Sequence, residues 1–160
     1  MPCLTKICKS IDLRINQKKQ DWERIQCLLR KLALAQKQLR MYKEFWDNVS
    51  EAMMLVKIED GRILDVNPAA CSLYGYSKEE FLKLTLKSIT VDPKSTRNVA
   101  NEKIEYVPLR YHINSDGTHI PITATITYFN DDGYDVAACI VRPIISYNGV
   151  DRRHQVVGEG

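Results

Sequence analysis

The side chains that a catalyst or a metal site would use first are few in this chain. They are His112, His119 and His154; Cys3, Cys8, Cys27, Cys71 and Cys139; and the adjacent pair Glu79 and Glu80. The cysteines form no CxxC and none stands at ligand spacing from a histidine, so neither a zinc site nor a redox pair is indicated. Five is an odd number in a chain that is not Cys-dense. That points to reduced thiols in a cytoplasm rather than a disulfide framework. Cys71 and Cys139 read as small buried hydrophobes. Glu79 and Glu80 follow one another, so on a helix they project about 100° apart; they suit capping and surface charge better than general acid–base work. The glycines lie singly in turns and no G-x-S-x-G occurs, so phosphate cradling and a nucleophile elbow are absent. His154 sits in polar DRRHQ without helical apolar periodicity, which argues against a phosphoacceptor. These residues indicate a binding protein and not an enzyme, with no catalytic and no metal-ligating residue.

The elements that position these residues fall into two units. Residues 1–50 carry eleven Lys/Arg against five Asp/Glu, and residues 51–160 carry twelve against fifteen. The basic first third reads as the solvated face of a helix rather than a nucleic-acid arm. No apolar run is long enough to span a bilayer, and MPCLTKICKSIDLRINQKK alternates apolar with charged residues instead of forming a secretory core. A soluble cytoplasmic protein is expected, with neither membrane nor nucleic acid as partner.

From Gln17 to Glu51 there is no glycine or proline, and helix formers dominate. Ile25, Leu28, Leu32, Ala35, Leu39, Tyr42, Trp46 and Val49 alternate in steps of three and four, an a/d heptad stripe. Trp22, Leu29 and Phe45 widen it. Such a stripe needs a cover, and a parallel dimer over residues 22–42 is expected, with residues 42–50 docking on the following domain. Ile25, Leu28, Leu32, Leu39, Tyr42, Trp46 and Val49 are the candidate dimer interface. Leu4, Ile7, Ile11 and Ile15 make a shorter stripe that adds dimer contact.

Beyond Ser50 the pattern is that of an α+β domain. Asp60-Gly61 separates two apolar runs within MMLVKIEDGRILDV, which predicts a hairpin with a type I′ turn. Asn67 is an N-cap with Pro68 in the first helical turn, and Gly75 stops that short helix. Ser77-Lys78-Glu79-Glu80 is a capping box opening a second helix. One helical turn is read in LKLTLKSIT, and Asp92-Pro93 starts a further helix. Period two follows: Val107, Leu109, Tyr111 and Ile113 share one face, then Ile120, Ile122, Ala124, Ile126 and Tyr128 share one face opposite the threonines. The last strand, DVAACIVRPI, is apolar on both faces and so is covered on both; the Tyr42–Val49 helix end is the expected second cover.

Taken together, FWDNVSEAMMLVKIEDGRILDVNPAACSLYGYSKEEFL and NSDGTHIPITATITYFNDDGYDVAACIV resemble a PAS domain, the sensory box of bacterial and archaeal signalling proteins, over roughly residues 45–145. The resemblance implies a five-stranded antiparallel sheet in the order 2-1-5-4-3 with short helices on one face. It implies a homodimer through the N-terminal helix, and a sensing or relay task toward a separate signalling protein such as a histidine kinase or regulator of a phosphorelay. The organisation expected is an arm over 1–44, a sensor domain over 45–145 and a polar C-terminal segment over 146–160. Where relatives continue from an Asp-Ile-Thr type motif into a signalling helix, this chain reads Arg142-Pro143-Ile144, and Pro143 disfavours helical continuation. For a complete chain, output then passes through the N-terminal helix or a partner.

The family resemblance also frames the cofactor question. Haem-binding relatives use a histidine on the helix before the third strand, and PKSTRNVANEKI has none. His112, opposite Leu109 and Tyr111, reads as exposed, as does His119 beside a turn. Photoadduct flavin relatives need a cysteine in an Asn-Cys-Arg-Phe-Leu-Gln-like helix turn, which is absent. Haem and photoadduct flavin are therefore disfavoured. A small ligand in a cavity between sheet and helices would be lined by Val56, Val66, Leu73, Phe81, Leu109, Tyr111, Ile126 and Cys139. The other reading is a ligand-free structural oligomerisation adaptor.

Overall fold

The computed structural model describes residues 3–144, with side chains from residue 14 onward. The side chains of Cys3, Leu4, Ile7, Cys8 and Ile11 and the C-terminal segment 146–160 with His154 lie outside that description. The chain divides into two compact units, residues 1–46 and residues 47–160. The first unit is helical: α1 runs Cys3–Asn48, as the glycine- and proline-free sequence requires. Val49 stands just beyond its last residue.

The second unit is an antiparallel sheet with helices on one face. Its strands are β1 (Ala52–Lys57), β2 (Ile63–Val66), β3 (Tyr106–Ile113), β4 (His119–Asp131) and β5 (Tyr134–Pro143), in the order β2-β1-β5-β4-β3. Between β2 and β3 come α2 (Pro68–Tyr74), α3 (Lys78–Phe81), a 3₁₀ turn (Leu86–Ile89) and α4 (Pro93–Asn101). The fold is the α+β, PAS-like arrangement implied by the resemblance.

Local signals placed the short helices. Asn67 caps α2, with Pro68 at its first position and left-handed Gly75 at its end. A Cβ on Gly75 would run into Ser115 Oγ, so this cap is also a close approach to the β3–β4 turn. There the Ser115 N–H donates to the Tyr74 carbonyl at 2.8 Å. The Ser77–Glu80 capping box opens α3, and Asp92 Oδ1 caps α4 by accepting from the Ser95 N–H.

Asn67 does more than cap. It is fully buried, and its Oδ1 accepts from the N–H of both Met53 and Ala70, each at 2.9 Å. Its Nδ2 donates to the Glu51 carbonyl at 2.8 Å, and its own N–H donates to the Met53 carbonyl at 3.1 Å. One amide thus pins the start of β1 to the start of α2.

One turn differs in type from the pattern read in the sequence. At Asp60-Gly61 only the glycine has positive φ, and the loop closes with Lys57 N–H to Arg62 O and Gly61 N–H to Lys57 O, both 2.9 Å. That is a four-residue connection and not the two-residue type I′ turn. The left-handed pair that a type I′ turn requires occurs instead at Asp132 (φ 45) and Gly133 (φ 90), between the partners Asp131 and Tyr134.

The largest departure is in β3. Val107 pairs with Ala124, yet Arg110 pairs with Ile122, so β3 holds one residue more than β4 over that span. This bulge reverses which side chains face inward. Val107 is buried before it, and Arg110 and His112 face inward after it; Leu109 and Tyr111 are about half exposed, at 52% and 48%. Leu109 and Tyr111 therefore do not line an interior cavity, and His112 is buried rather than exposed. His112 does lie opposite Leu109 and Tyr111, but that opposite face is the inner one. Pro108 sits at the irregularity, on an edge strand where a missing N–H is tolerated.

Asn67→Ala should lower unfolding free energy by about 2–3 kcal/mol, because it strands several partly buried backbone groups. Asn67→Asp should also destabilise, since its second oxygen would face the Glu51 carbonyl; a role in capping alone would tolerate aspartate. Urea unfolding of the three proteins distinguishes these outcomes.

Candidate functional site

The inner face of the sheet is filled at one end and hollow at the other. At the filled end, Tyr74 and Phe81 stack edge to face with ring centroids 5.4 Å apart, and Tyr76 meets Phe81 at 5.5 Å. Val66 and Phe81 are in this close-packed core, and Leu73 packs against it. None of these three lines a cavity: large rings from α2 and α3 take up the space there.

Under α4 the side chains are smaller, and a cavity of about 90 Å³ remains. Met54 and Val56 of β1 contribute to it, with Ala137, Cys139 and Val141 of β5. Ile122, Ala124, Ile126 and Tyr128 of β4 and Val107, Arg110 and His112 of β3 complete its sheet side. The helical side offers Leu86, Thr96, Val99 and Ala100. Of the eight residues expected from sequence, the structure brings Val56, Ile126 and Cys139 together here. It places Val66, Leu73 and Phe81 in packed core, and Leu109 and Tyr111 on the outer face.

Sequence reasoning missed Arg110 and His112, which β3 turns toward this cavity, and the charged residues Lys57, Asp60, Lys87 and Arg97 that also line it. The spacing of two between Arg110 and His112 puts them on one face of β3 about 6.6 Å apart along the strand. The phenol of Tyr74 lies 2.6 Å from His112 Nδ1, a buried link from α2 to β3. Arg110 Nη1 donates to Thr96 Oγ1 at 3.4 Å, linking β3 to α4. That hydroxyl in turn donates to the Asp92 carbonyl at 2.9 Å and lies 3.0 Å from Thr90 Oγ1. Pro108 was the available signal: a proline inside a period-two run marks an edge or a bulge, and a bulge shifts the face by one residue.

Burial sets the protonation states. It pushes the His112 imidazole down to about 4, with the neighbouring Arg110 cation adding to the effect, so His112 is neutral near pH 7. Burial raises the Tyr74 phenol far above its usual value and pushes the Cys139 thiol up to about 12, so Cys139 is a packing residue at neutral pH. Tyr128 lines the cavity, but its hydroxyl donates to the carbonyls of Val99 (3.2 Å) and Ile104 (3.0 Å), holding the end of α4. Cys71 is half-buried on α2 and Cys27 is exposed on α1. Among the described residues no three His, Cys, Asp or Glu side chains are grouped to hold a metal ion, and no helix is long and apolar enough to cross a membrane.

With this geometry in hand, known proteins locate the chain. The PAS domain family profile matches residues 50–144, and the chain belongs to that family. A PAS domain from a two-component sensor histidine kinase is similar with a TM-score of 0.62 at 19% identity, over 69% of this chain and 99% of that one. The PAS domain of an HTR-like protein from Haloarcula marismortui gives 0.62 at 20% identity, over 72% and 98%. A LOV protein from Rhodobacter sphaeroides gives 0.57 at 13%, over 71% and 70%. At these identities the likeness is one of fold. No curated protein sequence matches the chain.

The depressed His112 pKa makes stability pH-dependent. The unfolded chain binds this proton near pH 6.5 and the folded chain only near 4, so stability is full above about 6.5 and falls as pH drops toward 4. From pH 7 to pH 5 the loss through this one group should be about 2 kcal/mol. His112→Gln should flatten that part of the profile, read from urea midpoints at the two pH values. An equal slope in both proteins would show that His112 is not the group responsible.

Proposed function

We propose that this PAS domain is a cytoplasmic sensor and relay module that binds a small ligand inside the domain and passes the signal to a separate protein. The observation that carries the reading is the hollow under α4. Protein interiors are ordinarily close-packed, and here the core is solid beside α2 and α3 but open where Arg110 and His112 face inward. The site carries out no catalytic step in this reading. A cavity of about 90 Å³ favours an occupant smaller than a porphyrin or a flavin. Two of the similar folds belong to histidine kinase and LOV proteins, and a kinase or regulator of that signalling class is the partner we assign.

Dimerisation is part of the same proposal, and α1 supplies its surface. Within a single chain Ile25, Leu28, Leu32, Leu39 and Tyr42 are all exposed, Tyr42 at 73%. Their three-four spacing matches a second helix of the same kind, which favours a second copy as the cover. Trp46 and Val49, from the same stripe, are already half-buried in one chain, so the pairing centres on residues 25–42.

Leu32→Asp combined with Leu39→Asp should convert the dimer to a folded monomer, measured by multi-angle light scattering with circular dichroism as the folding control. An unchanged dimer mass would remove α1 as the interface.

A further inference from the structure

We propose that the cavity under α4 selects a short-chain monocarboxylate, gripped at its head by Arg110 and His112. This rests on reading the cavity as a ligand site and names the chemistry of what fills it.

The polar groups facing the hollow from β3 are donors. The Arg110 guanidinium has five N–H donors and no acceptor, and its only protein partner among the described residues is Thr96 Oγ1, at the long distance of 3.4 Å. No carboxylate among the described residues forms an ion pair with it. Of the other charged residues that line the cavity, Lys57 is held by Glu59 at 2.8 Å, and Asp60, Lys87 and Arg97 are exposed, so Arg110 is the charge that β3 turns inward.

His112 adds a second donor. It is neutral and 94% buried, since its residual exposure is 6%. The Tyr74 phenol is fully buried, and His112 Nδ1 is its one partner among the described residues. A buried hydroxyl hydrogen needs an acceptor. The arrangement that supplies one has Tyr74 donating to Nδ1, which leaves the His112 proton on Nε2. That N–H has no acceptor among the described residues, and His112 borders the cavity.

Two donors with no acceptor between them match a carboxylate, whose two oxygens only accept. The lining carries four cations, Lys57, Lys87, Arg97 and Arg110, against the one carboxylate of Asp60, so a ligand amine would meet net like charge, and an alcohol would leave the guanidinium unmatched. The sheet-side wall, with Val56, Val107, Ile122, Ile126, Ala137 and Cys139, is apolar and sets the body of the ligand, while the exposed residues Asp60, Lys87 and Arg97 also line the cavity. Size sets its length. A cavity of about 90 Å³ is below the roughly 150 Å³ of a cavity that takes benzene, so the occupant is a short chain and not a long fatty acid.

The test uses three short ligands of similar shape: propionate, 1-propanol and propylamine. Each is titrated into the full chain and followed by backbone amide NMR shifts in β3, β4 and α4. Propionate should bind at least ~tenfold more tightly than the alcohol, the amine should bind least, and Arg110→Gln should remove the preference while still binding the alcohol. Alcohol binding by Arg110→Gln also reports that the variant is folded and its cavity intact; if it does not fold, the wild-type ranking of the three ligands decides. Equal binding of acid and alcohol by the wild type would overturn the carboxylate assignment and leave the cavity as a site for a neutral ligand. An acid preference that survives Arg110→Gln would overturn the role given to Arg110. No shift with any of the three would overturn both the ligand class and the ligand-site reading beneath it.

Discussion

One additional residue between Val107 and Arg110 decides what the inside of this domain is made of. A strand alternates its side chains strictly, so an odd insertion exchanges every later residue between core and solvent. Without it, Leu109 and Tyr111 would face the helices and the interior would be uniformly apolar. With it, a cation and an imidazole face inward from consecutive inward positions, and the leucine and tyrosine are left outside. The bulge is tolerable because β3 is an edge strand with one hydrogen-bonded neighbour, so only one ladder is disturbed. The two inward groups are then used as tethers: His112 to Tyr74 of α2, Arg110 to Thr96 of α4.

Those tethers sit on a frame pinned elsewhere by Asn67. Its side-chain amide satisfies backbone groups of β1 and α2 together, so the direction in which the helical segment leaves the sheet is set at that point. Tyr74 ends α2 and reaches both the β3–β4 turn, through its carbonyl, and His112, through its hydroxyl. Large rings then close the core near α2 and α3. Farther along, alanines and a threonine leave it open under α4. The contrast between the two ends follows from side-chain volume on one continuous sheet face, and it puts the polar pair of β3 beside the open space.

The helical unit has a different unmet requirement. Its side chains from Ile25 to Tyr42 are apolar at heptad spacing and exposed in a single chain, a surface that water disfavours by about 25 cal/mol for each Å² left uncovered. The domain has a hollow under α4 and the helix has an exposed apolar stripe, two separate features of the two units.

Much of the frame was legible from residues alone because it depends on contacts within a few positions. Asn67 and Ser77 accept from backbone N–H groups three residues on, Asp92 does the same for α4, and the helix stripe repeats along one segment. The strand order came with the family resemblance and is what the structure has. What the chain by itself determined, then, was the capped helices, the antiparallel α+β class and the exposed heptad face, all written in local spacing. Which side chains meet the cavity was decided only in the tertiary structure. A register shift is a relation between two strands, not a property of either, and a void is what remains after helices from another part of the chain have been laid across the sheet.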